Sequence, residues 1–135
     1  MPTVLEEKDA IRETIARYCF FIDGKQYDDW ANTFTEDGVF EVVDLFKVEG
    51  REAIRSFADK IPLNDQGLPG FKHCALNQLI EVAGERAKAQ CYIVIIREGK
   101  PLHVDIAGRY QDTLVKRGGQ WLFQRRTVYF DYRSL

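Results

Sequence analysis

From Phe71 onward, apolar and polar residues alternate in long runs separated by short turn signals, and few architectures accept such a pattern. Ala87, Ala89, Cys91, Ile93 and Ile95 alternate with Lys88, Gln90, Tyr92, Val94 and Ile96. Leu102, Val104, Ile106, Gly108 and Tyr110 alternate in the same way with His103, Asp105, Ala107 and Arg109. A two-residue period is that of a strand with one face buried. The interruptions AGE at 83–85, EGKP at 98–101 and RGG at 117–119 are short enough to join neighbouring antiparallel strands. The second half of the chain is therefore predicted to be a meander of four long strands.

The first half has the other period. Thr3 followed by Glu6 reads as a capping box at a helix start. Ile11, Ile15, Tyr18, Cys19 and Ile22 then recur at intervals of three and four, one stripe on a helix that ends at Asp23, with Gly24 as its left-handed terminator. Tyr27, Trp30, Ala31 and Phe34 predict a second, short amphipathic helix. TEDG at 35–38 predicts a turn, Val39, Phe40, Val42 and Val43 a short strand, and 44–48 a further turn or lip. REAIRSFADKI predicts a third helix with Ala53, Ile54, Phe57, Ala58 and Ile61 facing inward and Pro62 ending it. The loop 63–70, LNDQGLPG, is expected to form a mobile rim.

Helices gathered first and strands last mean segregated α+β: three N-terminal helices packed in the concave face of a strongly curved, mostly antiparallel sheet. The 135 residues suffice for a single domain, expected to span 1–135. A sheet wrapped around helices at one end makes a cone, and its interior is expected to be a pocket. The generous aromatic content, 13%, fits a chain that lines a cavity as well as filling a core.

Charge and cysteine usage remove several classes. A net charge of -2 with dispersed basic residues argues against nucleic acid as partner. Cys19, Cys74 and Cys91 are widely spaced in apolar surroundings and read as buried thiols in a reducing cytoplasm. His73 and His103 have no metal-ligand spacing, so no metal and no cofactor is expected. No apolar run approaches a membrane span, and MPTVLEEKD lacks the regions of a secretory signal. The apolar row Tyr92, Val94 and Ile96 on the outer sheet face predicts a homo-oligomer, dimer or trimer.

Asp23 follows Cys19, Phe20, Phe21 and Ile22, where the chain is expected to be buried. A buried carboxylate requires a charged or hydrogen-bonding partner, and His73, opening a long strand among apolar neighbours, is the candidate.

The segments YCFFIDGKQYDDWANTFTEDGVF, GREAIRSF, FKHCALNQLIEV, AGRYQDTLVKRGGQW and LFQRRTVYFDY together resemble the NTF2-like cone fold. Within it they are similar to the SnoaL-like group that includes scytalone dehydratase and lindane dehydrochlorinase. The resemblance covers nearly the whole chain. It implies that Asp23 and His73 form the dyad of the dehydrochlorinase-like members and that Arg126 is their pocket arginine. The second pocket histidine of scytalone dehydratase falls near Arg97, and its Tyr and Asp pair near Lys25 and Gln26, which sets that particular reaction apart.

An imidazole is the side chain best poised to take a proton at neutral pH, and an adjacent carboxylate holds its tautomer and stabilises the imidazolium. His73 is thus expected to act as general base with Asp23 behind it, and Arg126 to meet a departing anion or a developing oxyanion. Arg125 and Arg126 are adjacent on a strand, so one faces inward; the inward one is expected either in the pocket or salt-bridged to an acid such as Asp23 or Asp105. Tyr18, Asn77, Tyr129, Trp30 and Phe57 are the expected substrate-binding residues. Two functions stay open: a cofactor-independent lyase or isomerase acting on a small, mostly apolar cyclic molecule, and a small-molecule-binding or assembly domain without chemistry.

Overall fold

The computed structural model describes residues 1–134, which form three helices and one six-stranded sheet. Helix α1 spans Val4–Asp23, α2 Tyr27–Ala31 and α3 Arg51–Ala58; the strands are β1 Phe34–Val42, β2 Phe46–Glu49, β3 Phe71–Ala83, β4 Arg86–Arg97, β5 His103–Arg117 and β6 Gln120–Arg133. Their order across the sheet is β2-β1-β6-β5-β4-β3. The pairs are antiparallel except β1 with β6, which run parallel. The final strand of the meander thus returns beside the strand that left the helices, and α1 packs against β3 and β6 while α3 packs against β1.

The capping box forms as expected: Thr3 Oγ1 accepts from the Glu6 amide at 3.1 Å and Glu6 Oε1 accepts from the Thr3 amide at 3.2 Å. The stripe Ile11, Ile15, Tyr18, Cys19 and Ile22 is buried throughout. At the other end the left-handed residue is Lys25, at φ 61°, whereas Gly24 sits at φ -90°. The Gln26 and Lys25 amides reach back to the Phe21 and Ile22 carbonyls, so the helix closes in a Schellman arrangement with a lysine where glycine is usual.

Four further expectations are corrected. Phe34 does not belong to α2 but opens β1, where its ring enters the core. The expected turn at 35–38 lies inside β1, where the register against β6 jumps between Phe34↔Phe123 and Val39↔Arg125: the turn residues are accommodated as an irregularity in the strand. Gly38 belongs there because an added Cβ would stand 3.0 Å from both Phe34 Cβ and the Thr35 carbonyl. The lip at 44–48 contains β2, paired to β1 from Val42↔Phe46 to Val39↔Glu49 around Asp44 at φ 67°. Finally, α3 stops at Ala58, three residues before Ile61, and Ala53 is exposed; Ile54 and Ala58 carry the buried face.

Inward side chains meet the helices. Ile93, Ile95, Tyr110, Asp112, Leu114, Phe123, Arg126 and Val128 face them and are buried, together with Trp30, Phe34 and Phe40 from the amino-terminal half. The opposite face carries Leu76, Leu79, Tyr92 and Tyr132, all exposed. Cys19 and Cys91 lie on the inward side, and burial pushes their thiols up to about 12 and about 11. Cys74 is half-buried, paired with Val94 on the outer face. At about pH 8, a chromogenic disulfide reagent is expected to titrate one fast thiol in the folded chain and none in Cys74→Ser. Fast reaction of Cys19 or Cys91 would show that the core opens during labelling.

Candidate active site

The end of α1 and the start of β3 meet at Asp23 and His73. One carboxylate oxygen of Asp23, Oδ2, accepts the His73 backbone N–H at 2.9 Å, and the other, Oδ1, lies 2.7 Å from His73 Nδ1. Both oxygens therefore serve a single residue, one fixing its main chain and one its ring. The side chains are 12% and 9% exposed, so the pair sits at the edge of the core rather than in bulk water. Phe71 meets the imidazole edge-on at 4.7 Å and Tyr18 at 6.4 Å.

The approach to His73 is held from the loop side. The Glu98 amide donates to the Gly70 carbonyl at 2.9 Å, Asn64 Nδ2 donates to Glu98 at 3.0 Å, and Arg97 stacks over Phe71 while its Nε binds Asp105 at 2.9 Å. The Ser134 hydroxyl and the Arg97 guanidinium hold the Asp105 carboxyl below its ordinary range. The expected rim loop is thus pinned at both Asn64 and Gly70.

Deeper in the same face lies Arg126, fully buried. Its Nε and Nη2 donate to the two carboxylate oxygens of Asp112 at 2.9 and 3.2 Å. The guanidinium carbon stands 3.5 Å from the Tyr110 ring centroid and 4.3 Å from those of Tyr18 and Phe123. Burial works against the charge of Arg126, but the Asp112 carboxylate outweighs it and keeps the guanidinium protonated. The remaining nitrogen, Nη1, is buried with no hydrogen-bond partner among the described residues. Burial also pushes the Tyr18 phenol up to about 12, partly offset by Arg126 and by the Tyr110 hydroxyl and Trp30 indole beside it.

The inward arginine is therefore Arg126, and its acid is neither Asp23 nor Asp105 but Asp112. Arg125 points outward to Glu41 and, at 3.3 Å, to the Thr127 hydroxyl. Asp112 and Tyr110 were missed as site residues, although continuing the row Ile106, Gly108, Tyr110 by one step reaches Asp112. That row places the acid directly opposite Arg126 in the β5–β6 register.

Two expected substrate-binding residues are placed elsewhere. Tyr129 alternates with buried Val128 and so faces outward, with Arg109 stacked over its ring at 4.4 Å. Asn77 sits in a bulge, where two residues of β3 oppose one of β4, at φ 60° and exposed. It borders a hollow of about 470 Å³ on the outer face with Leu79, Tyr92 and Arg109. Trp30 is 1% exposed against Tyr18, Phe34 and Phe40, and Phe57 is half-buried, 4.6 Å from Phe46. The interior is correspondingly not an open pocket. Hollows of about 390–660 Å³ open on the surface, and none of these is lined by Asp23, His73, Tyr18 or Arg126. The chain's own aromatic rings occupy the space between helices and sheet.

Against known proteins, a model of the SnoaL-like domain matches residues 3–127. Rv3472 of Mycobacterium tuberculosis, a protein of unknown function solved as an aspartate-to-asparagine variant, is 32% identical, with a TM-score of 0.82 over 93% of this chain and 72% of that one. An NTF2-like protein with a cystatin-like fold from Novosphingobium aromaticivorans is 26% identical, with a TM-score of 0.85 over 97% and 86% of the two chains. A scytalone dehydratase candidate from the same organism is 26% identical, with a TM-score of 0.84 over 96% and 87%. No curated protein matches the chain. Among the described residues no helix is long and apolar enough to cross a membrane.

Proposed function

Because the chain belongs to the SnoaL-like domain family, we propose that it is a cofactor-independent lyase or isomerase in which His73 removes a proton from a small, mostly apolar cyclic molecule. One observation carries this reading: Asp23 spends one oxygen on the His73 backbone amide and the other on Nδ1. A carboxylate accepts and does not donate, so the Nδ1 it contacts bears the proton and Nε2 keeps its lone pair for the substrate. The second oxygen fixes the strand that carries the ring, so the base is held in orientation as well as in tautomer. When a proton arrives on Nε2, the imidazolium is stabilised by the carboxylate already in contact with it. Phe71 and Tyr18, whose rings flank the imidazole, supply the apolar contact beside the base.

The tautomer is directly measurable. Long-range 1H–15N correlation at a pH where the ring is neutral is expected to give His73 as the Nδ1–H form, with Nε2 unprotonated. In Asp23→Asn the amide can donate to Nδ1, and the signals are expected to move to the Nε2–H form. An unchanged tautomer in Asp23→Asn would remove the base from the mechanism. The reading of the chain as a binding module without chemistry would then take its place.

A further inference from the structure

The proposed base is covered in this structure. The His73 ring is 9% exposed and lines none of the hollows described above, so a substrate reaches Nε2 only after something moves. We infer that residues 62–70 are a flap that swings as one body, with Glu98 as its latch. The segment lies between Ile61, whose amide still reaches back to Ala58, and Phe71, which opens β3 and meets the imidazole edge-on. It is wound around a single side chain. Asn64 Oδ1 accepts from the Gln66 and Leu68 amides at 2.9 and 3.1 Å. The Asn64 amide donates to the Leu68 carbonyl at 2.7 Å, and the Asn64 carbonyl accepts from the Gly67 amide at 2.9 Å. A loop closed on itself in this way keeps its shape when it moves.

Its hydrogen bonds to the rest of the molecule are few and lie together. Among the described residues they are Asn64 Nδ2 to Glu98 Oε1 at 3.0 Å, the Glu98 amide to the Gly70 carbonyl at 2.9 Å, and Arg97 Nη1 to the Pro69 carbonyl at 3.5 Å. Glu98 thus holds the flap at two points, Asn64 by its side chain and Gly70 by its main chain. Its carboxylate lies against Gly70, where an added Cβ would stand 2.6 Å from Oε1. Gly70, at φ 73°, is the hinge that joins flap to strand. Lifting the flap uncovers little apolar surface, because Leu63 and Leu68 are already exposed and Pro69 alone of these residues is buried. Moving β3 instead would break a ladder with β4 that runs without a shift from Phe71↔Arg97 to Leu76↔Tyr92, and would pull the His73 amide from Asp23. The segment that opens is the one held by the fewest bonds.

The flap serves catalysis on the reading of His73 as base, and rests on it, but access to the ring is measured without turnover. Diethyl pyrocarbonate acylates an unprotonated imidazole nitrogen. At a pH where both rings are neutral, mass spectrometry of the two histidine peptides gives each rate, with exposed His103 as the control. In the wild type His73 is expected to react at least about tenfold more slowly than His103, and Glu98→Ala to speed His73 about tenfold, since a hydrogen bond to a charged group is lost from the closed form. Glu98→Gln, which keeps an oxygen for Asn64, is expected to react as the wild type does. Gly70→Ala, which crowds the carboxylate off Asn64, is expected to speed His73 as well. Hydrogen exchange tests the rigidity: the Gln66 and Leu68 amides should stay protected in Glu98→Ala and lose protection in Asn64→Ala. A His73 rate equal to that of His103 in the wild type, or unmoved by Glu98→Ala, would overturn the flap. So would loss of Gln66 and Leu68 protection in Glu98→Ala, which would mean that the loop unravels instead of swinging. The base reading stands or falls separately, on the His73 tautomer, which none of these rates reports.

Discussion

Arg126→Met is expected to destabilise the protein by about 3–5 kcal/mol, because it leaves the Asp112 carboxylate buried without the charged partner that both its oxygens contact. Methionine fills a similar volume between Tyr18, Tyr110 and Phe123, so the loss is one of charge compensation more than of packing. The diagnostic comparison is the double variant Arg126→Met/Asp112→Leu, which removes both charges and both desolvation costs and is expected to recover most of the stability. Urea denaturation of the three proteins with unchanged slopes reads the difference from the midpoints. If the double variant is no more stable than Arg126→Met, Asp112 is not the group that makes Arg126 indispensable.

The second large effect is chemical. His73→Ala is expected to reduce proton exchange at the activated carbon of a small cyclic substrate by on the order of 10²- to 10⁴-fold while the circular dichroism spectrum is retained. The ring is at the border of the core, in contact with Phe71 and Tyr18, and its removal opens a small space at the rim rather than in the centre. Asp23→Asn is expected to lose a similar order of activity for a different reason. The asparagine oxygen can still accept from the His73 amide, which preserves the strand, but its nitrogen donates to Nδ1 and forces the proton onto Nε2. A variant with the strand held and exchange undiminished would separate Asp23 from the mechanism altogether.

Periodicity alone predicts the parts of this molecule whose burial is one-sided. The α1 stripe and the alternating runs of β4 and β5 each commit one face to the core, and their placement follows from residue spacing. Where one element carries two patterns, local reading fails. Thr35–Gly38 has the chemistry of a turn, yet β6 recruits it into β1 at the cost of a register jump. Phe34 continues the three-and-four spacing of α2, but its ring is claimed by Trp30 of α2 and by Phe40 and Phe123 from strand positions. The burial expected of a carboxylate after Ile22 and the apolar neighbours of His73 already suggest the pair, and the resemblance adds its role; the fold closes the gap of fifty residues in sequence. Asp112 was within reach of plain alternation, and its two hydrogen bonds to Arg126 are the feature that separates the inward arginine from its neighbour.

The bulge at Asn77 and Gln78 does more than displace one polar side chain. Strand β3 is thirteen residues long and lies at the edge of the sheet, with Leu76 and Leu79 exposed on either side of the bulge. A long, regular, apolar edge is a template on which foreign strands can add, the first step toward fibrils. Here the ladder is interrupted in mid-strand and Asn77 turns left-handed, so an incoming strand finds register on one half or the other but not across both. The same irregularity that shapes the outer surface therefore works against strand addition at this edge, beside its two exposed leucines.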